Sequence, residues 1–123
     1  MAGKSTQEKN LMDALDKYGL VRDIRYETFS YPISGRALGI PVPESIQEGK
    51  ERHYIGMTVV RLYEKGVYAA KKEAAKKGSH FNIEGYVSEG RAYCSEVEPH
   101  FSRKAGRIRA TGRALQNFLA TLA

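Results

Sequence analysis

Between His53 and Tyr63 the residues His53, Ile55, Met57 and Val59 alternate with Tyr54, Thr58, Val60 and Leu62, and both sets are largely apolar. A strand keeps apolar side chains on both faces only where both are covered, so the segment predicts a central strand with structure on either side. At 123 residues the chain has the size of one domain with one core. Its 41% hydrophobic and 28% charged content is that of an ordinary globular protein.

The other elements follow from spacing and punctuation. Leu11, Met12, Leu15 and Tyr18 recur at helical intervals and Gly19 supplies a stop. Residues 1–7 are expected as a flexible N-terminus, which leaves 8–123 as a single ligand-binding domain. Leu20 to Tyr31, rich in β-branched and aromatic residues, predicts a strand with Ile24, Tyr26 and Thr28 on one face. Breakers at Pro32, Gly35, Gly39, Pro41 and Pro43 make 32–49 a long loop. Val67 to Lys77 predicts a lysine-faced helix capped by Gly78. Ser88, Glu89 and Gly90 predict a turn, flanked by strands His80–Tyr86 and Arg91–Val97 as a hairpin. The sum is a small α+β domain: an antiparallel or mixed sheet packed against two to three helices, with a long basic helix at the C-terminus.

A formal charge of +6 arises from 20 basic and 14 acidic residues. Nothing after Glu98 is acidic, whereas Arg103, Lys104, Arg107, Arg109 and Arg113 follow, so the expected partner is an anion. No apolar run is long enough for a bilayer and the N-terminus lacks the apolar core of a signal peptide, which predicts a cytoplasmic protein without membrane contact. Cys94, the single cysteine, is expected to be a buried, reduced thiol.

From Ser102 to Leu122 the spacing of Phe101, Ala105, Ile108, Gly112, Leu115, Leu119 and Leu122 defines an amphipathic helix, with Ser102 as N-cap. At about 100° per residue, Ser102, Gly106, Arg109 and Arg113 share a second face. Two guanidinium forks one turn apart suit two phosphates, or two edges of one, and Arg103 near the positive end of the helix dipole adds to the potential. An interior glycine weakens a helix by about 1 kcal/mol, so each predicts a compensating contact. At Gly106 a ligand or another backbone is expected to come close; at Gly112, on the apolar side, a packed element. The same charges also fit a solvated basic helix with no ligand.

No metal site or catalytic group is expected. His53, His80 and His100 form neither a helical zinc pair nor a two-histidine phosphoesterase signature, Glu96 and Glu98 share the wet face of a strand, and both standard glycine-rich phosphate loops are missing. Phe81 and Asn82, placed between a helix stop and a strand, are candidates to stack on a base and read its edge, although core packing and turn chemistry fit them equally.

The run Gly90-Arg-Ala-Tyr-Cys-Ser-Glu-Val-Glu-Pro-His-Phe-Ser-Arg-Lys-Ala-Gly-Arg-Ile-Arg-Ala-Thr-Gly-Arg-Ala-Leu115 resembles a pattern of small phage proteins, in particular the first family of Thoeris anti-defence proteins. That resemblance covers roughly the last quarter of the chain. It implies a non-enzymatic sponge that sequesters, without cleaving, the cyclic ADP-ribose isomer (glycocyclic ADP-ribose) made by bacterial TIR-domain immune enzymes, in the host cytoplasm and without a cofactor. It further implies a homodimer able to assemble into a hexamer, ligand held between protomers, cyclic oligonucleotides accepted at a separate site, and Arg109 and Arg113 on the pyrophosphate. The competing expectation is a basic phage protein that binds nucleic acid or inhibits a nuclease through the same arginines.

Overall fold

The structure is a computed structural model that describes residues 2–42, 45–46, 50–76, 85–96 and 102–123, with the backbone alone at 2–5 and 74–76. Three helices and three strands follow in the order α1 (Ala2–Lys17), β1 (Leu20–Ser34), β2 (His53–Glu64), α2 (Lys65–Lys76), β3 (Ser88–Ser95) and α3 (Arg103–Thr121). The strands form one antiparallel sheet in the order β1-β2-β3, which makes this a small α+β domain with β2 at the centre. No helix among the described residues is long and apolar enough to cross a membrane.

One face of the sheet carries the core. Its inward positions are Leu20, Arg22, Ile24 and Tyr26 on β1, Thr58, Val60 and Leu62 on β2, and Ser88, Gly90, Ala92 and Cys94 on β3. On β3 these side chains are uniformly small, and α3 answers with small residues one turn apart: Gly106, Ala110 and Ala114. The backbones therefore approach closely. A Cβ on Gly90 would lie far inside contact distance of the Ala110 carbonyl and the Ala114 amide, and the Ser88 hydroxyl donates to the Ala114 carbonyl. At the outer edge of β3, the Arg113 Nη1 donates to the Arg91 carbonyl at 2.6 Å and the Asn117 Nδ2 to the Glu89 carbonyl at 2.8 Å. Edge groups that would otherwise look for another strand are thus occupied by the helix.

The hairpin expected around 88–90 is not formed. Ser88, Glu89 and Gly90 are strand residues, paired with Leu62, Arg61 and Val60. A trio that reads as turn chemistry is instead what a strand needs beneath a helix backbone: a hydroxyl to reach a carbonyl, a glycine to admit it, and between them a carboxylate for the cations of the far face. Glu89 meets Arg61 at 2.9 Å and Arg91 at 2.8 Å. The 80–84 portion of that expected hairpin lies outside the described residues.

α1 starts at Ala2, ahead of the apolar spacing that announced it, and packs Leu15, Leu11 and Ala14 on the same core. It is fastened by an ion cluster. Glu8 accepts from Arg107 at 2.7 and 3.1 Å and from Arg22 at 2.8 Å, while Arg22 also donates to Thr111. Gly19, at φ +69°, turns the chain from α1 into β1. The second face of β2 is less covered than its composition suggests. Among the described residues α2 reaches only the Tyr63 end, where Tyr63 and Tyr68 pack at 5.1 Å, whereas Met57 and Val59 stay half-buried beside Arg25, Glu27, Arg61 and Arg91.

Gly90→Ala should lower the unfolding free energy by about 1–3 kcal/mol, read from urea denaturation, because a methyl there meets backbone that cannot rotate away. The Arg107 hydrogen bond, with help from Arg22 and against burial, holds the Glu8 carboxyl at about 2 instead of its ordinary 4.5. Stability from this cluster is complete above pH 4.5 and is lost as the pH falls toward 2. Glu8→Gln should therefore flatten the pH dependence in that window and cost about 1.5–3 kcal/mol at neutral pH.

Candidate functional site

Ser102 caps α3 as the sequence predicts, its hydroxyl accepting from the Ala105 amide at 3.2 Å. The buried side of the helix keeps only part of the expected apolar stripe. Ile108, Ala110, Thr111, Ala114 and Leu115 are buried, whereas Leu119 is 38% and Leu122 60% exposed. The helix is rolled by about a quarter turn relative to its apolar spacing. Alanines make the close contact with the sheet, and the larger apolar residues are left to line the space between α3 and α1. Phe101 lies outside the described residues.

That roll exchanges the two interior glycines. Gly112, expected under a packed element, has nothing within 4 Å of where a Cβ would stand. Gly106, expected to admit a ligand or a backbone, faces the Thr58 side chain, and a Cβ on it would collide with the Thr58 hydroxyl. Close packing therefore compensates the helix cost at Gly106, and at Gly112 no contact within the described chain does.

Arg109 and Arg113 are both exposed and both line a groove of about 510 Å³ between α1 and α3. Its floor is Leu11, Ile108, Leu115 and Leu119 with the open backbone of Gly112 among them, and Gln7 and Asn10 of α1 form the opposite wall. No acidic side chain lines it. Glu8, next in sequence to Gln7, is turned to Arg107 and Arg22 instead, so its carboxylate is already paired. Of the five N–H donors of Arg113, one is committed to the Arg91 carbonyl and four remain. The volume lies within the range of about 300–1,000 Å³ typical of small-molecule sites.

The other sequence candidates separate. Arg103 is turned toward β1, its guanidinium 4.8 Å from the Tyr26 ring centroid, and it does not line the groove with Arg109 and Arg113. Arg107 is consumed by Glu8, which raises its pKa. Phe81 and Asn82 lie outside the described residues, as do His80 and His100, while His53 Nδ1 is 3.1 Å from the Glu51 carbonyl. Cys94 is buried. A second hollow, about 540 Å³ and lined in part by Ile40, Pro41 and Tyr54, mixes Lys50 and Arg52 with Glu51 and Glu96 and so presents no uniform charge. Sequence reasoning did not find the α1 wall. Gln7 and Asn10 sit about a hundred residues from α3, and no local pattern connects them.

No protein-family model, curated protein or solved structure matches the chain.

Gly112→Ala should raise the unfolding free energy by about 0.5–1 kcal/mol, since it gains helix propensity and meets no neighbour. Gly106→Ala should lower it. The opposite signs, read in one series of urea titrations, test the exchange of roles directly.

Proposed function

We propose that this protein is a non-catalytic binder that holds a phosphorylated small molecule in the groove between α1 and α3, with Arg109 and Arg113 on its phosphates. One observation carries the reading: two exposed arginines share a concave, carboxylate-free site with an apolar floor. Guanidinium forks supply planar, charge-assisted hydrogen bonds to phosphate oxygens. The apolar floor suits a ring system, and the Gln7 and Asn10 amides offer donors and acceptors to its edge. The amides, arginines and aliphatic residues among the described lining support a reading of binding without cleavage.

The resemblance of the C-terminal quarter to Thoeris anti-defence proteins supports a more specific form of the same reading. The ligand class is then a cyclic nucleotide signal made by TIR-domain enzymes, sequestered by a homo-oligomer in the cytoplasm of an infected host. Nucleic acid is the competing partner for these arginines. A concave site with an apolar floor favours a compact ligand over an extended backbone.

Incubation with the products of a TIR-domain enzyme, removal of free ligand and heating should release a compound of unchanged mass. Recovery of a hydrolysed product would identify an enzyme instead. Arg109→Ala with Arg113→Ala should abolish retention while preserving the fold. Raising salt from 50 to 200 mM should weaken retention by less than tenfold, because few charges are involved, whereas binding along a nucleic-acid backbone would fall by about 10³–10⁵.

A further inference from the structure

Thr58 lies on β2 beneath the first turns of α3, at 1% exposure, and its hydroxyl is the one buried side-chain polar atom among the described residues without a hydrogen-bond partner. Such a group costs stability unless something binds it. The hydroxyl is directed at Gly106, and Thr58 and Gly106 together wall a recess of about 10 Å³ that Ser102, Tyr93 and Arg109 complete. The recess has room for a single atom of oxygen size. It lies at the N-terminal, positive end of a 19-residue helix. Arg109 lines both this recess and the α1/α3 groove, so the two spaces share a residue.

We propose that the Thr58 hydroxyl is a further binding residue: it donates to one oxygen of the phosphate held by Arg109, and that oxygen occupies the recess under α3. The proposal rests on the reading of Arg109 as a phosphate ligand. A whole phosphate does not fit, so the recess selects an oxyanion presented edge-on, with its remaining oxygens on Arg109 and toward the groove. No carboxylate lines the recess, and its charged side chain is the Arg109 cation, which favours an anionic oxygen over a cation. Gly106 has a part in this: any Cβ there would fill the space in front of the hydroxyl.

The test is isothermal titration of the full chain with inorganic pyrophosphate at low ionic strength, together with urea unfolding of each ligand-free variant. Thr58→Val should weaken pyrophosphate binding tenfold or more while unfolding at the same or a higher urea concentration, because it removes a hydroxyl that has no partner in the free protein. Thr58→Ala, which removes the hydroxyl without adding a methyl, should lose affinity to the same degree, and Thr58→Ser should retain it. If Thr58→Val and Thr58→Ala bind pyrophosphate as the wild type does, while Arg109→Ala with Arg113→Ala does not, the recess holds only water. The inference then fails and the groove reading stands. If the wild-type protein binds no pyrophosphate, both fail.

Discussion

The contact between α3 and β3 is made by backbone meeting backbone, and most of the molecule is arranged around it. Gly90, Ala92 and Ser88 let the helix down onto an edge strand, and Ala110, Ala114 and Gly106 present no bulk in return. Once the helix is that close, its roll is fixed, because any rotation would bring a larger residue into the seam. That roll turns Arg109 and Arg113 outward, places Thr58 beneath Gly106, and leaves Ile108, Leu115 and Leu119 lining the groove beside α1. The groove is a by-product of packing the small residues inward.

The same contact explains which parts of the fold could be read from sequence. β1, β2, α2 and α3 announce themselves by alternation or helical spacing, and their positions agree with those patterns to within a few residues. Patterns of this kind weigh residues by hydrophobic size. They therefore include the exposed Leu119 and Leu122 in the buried face of α3 and leave out Ala110 and Ala114, which make its seam with the sheet. Ser88-Glu89-Gly90 was misread for the same reason. Hydroxyl, carboxylate and glycine signal a turn when only local chemistry is considered, and what decides their conformation is contact with α3, whose Ala114 is 26 positions from Ser88.

The site was legible in part. An arginine pair one turn apart on an exposed face is a local feature, and both side chains stand at the surface. The opposite wall is not local: α1 reaches α3 through Glu8 and Arg107, which are 99 positions apart in the chain, and their pairing has no sequence signature beyond opposite charge. Thr58 was unremarkable as one of several residues in an alternating strand. Its significance depends on an unpartnered hydroxyl, which is a property of the packed state. Arg113 also has a structural duty, since one of its donors caps the Arg91 carbonyl.

That cap has a geometric consequence for assembly. A three-stranded sheet has two edges along which it can recruit further strands, and here α3 covers the β3 edge by bonding the carbonyls of Glu89 and Arg91. Among the described residues no further strand pairs with the β1 edge. A sheet that can grow in one direction reaches its limit when two copies meet edge to edge, because each then offers the other its sole open side and turns a blocked side outward. The helix thus acts as a chain terminator for strand addition, and this confers protection against fibre-like growth without a proline in β3.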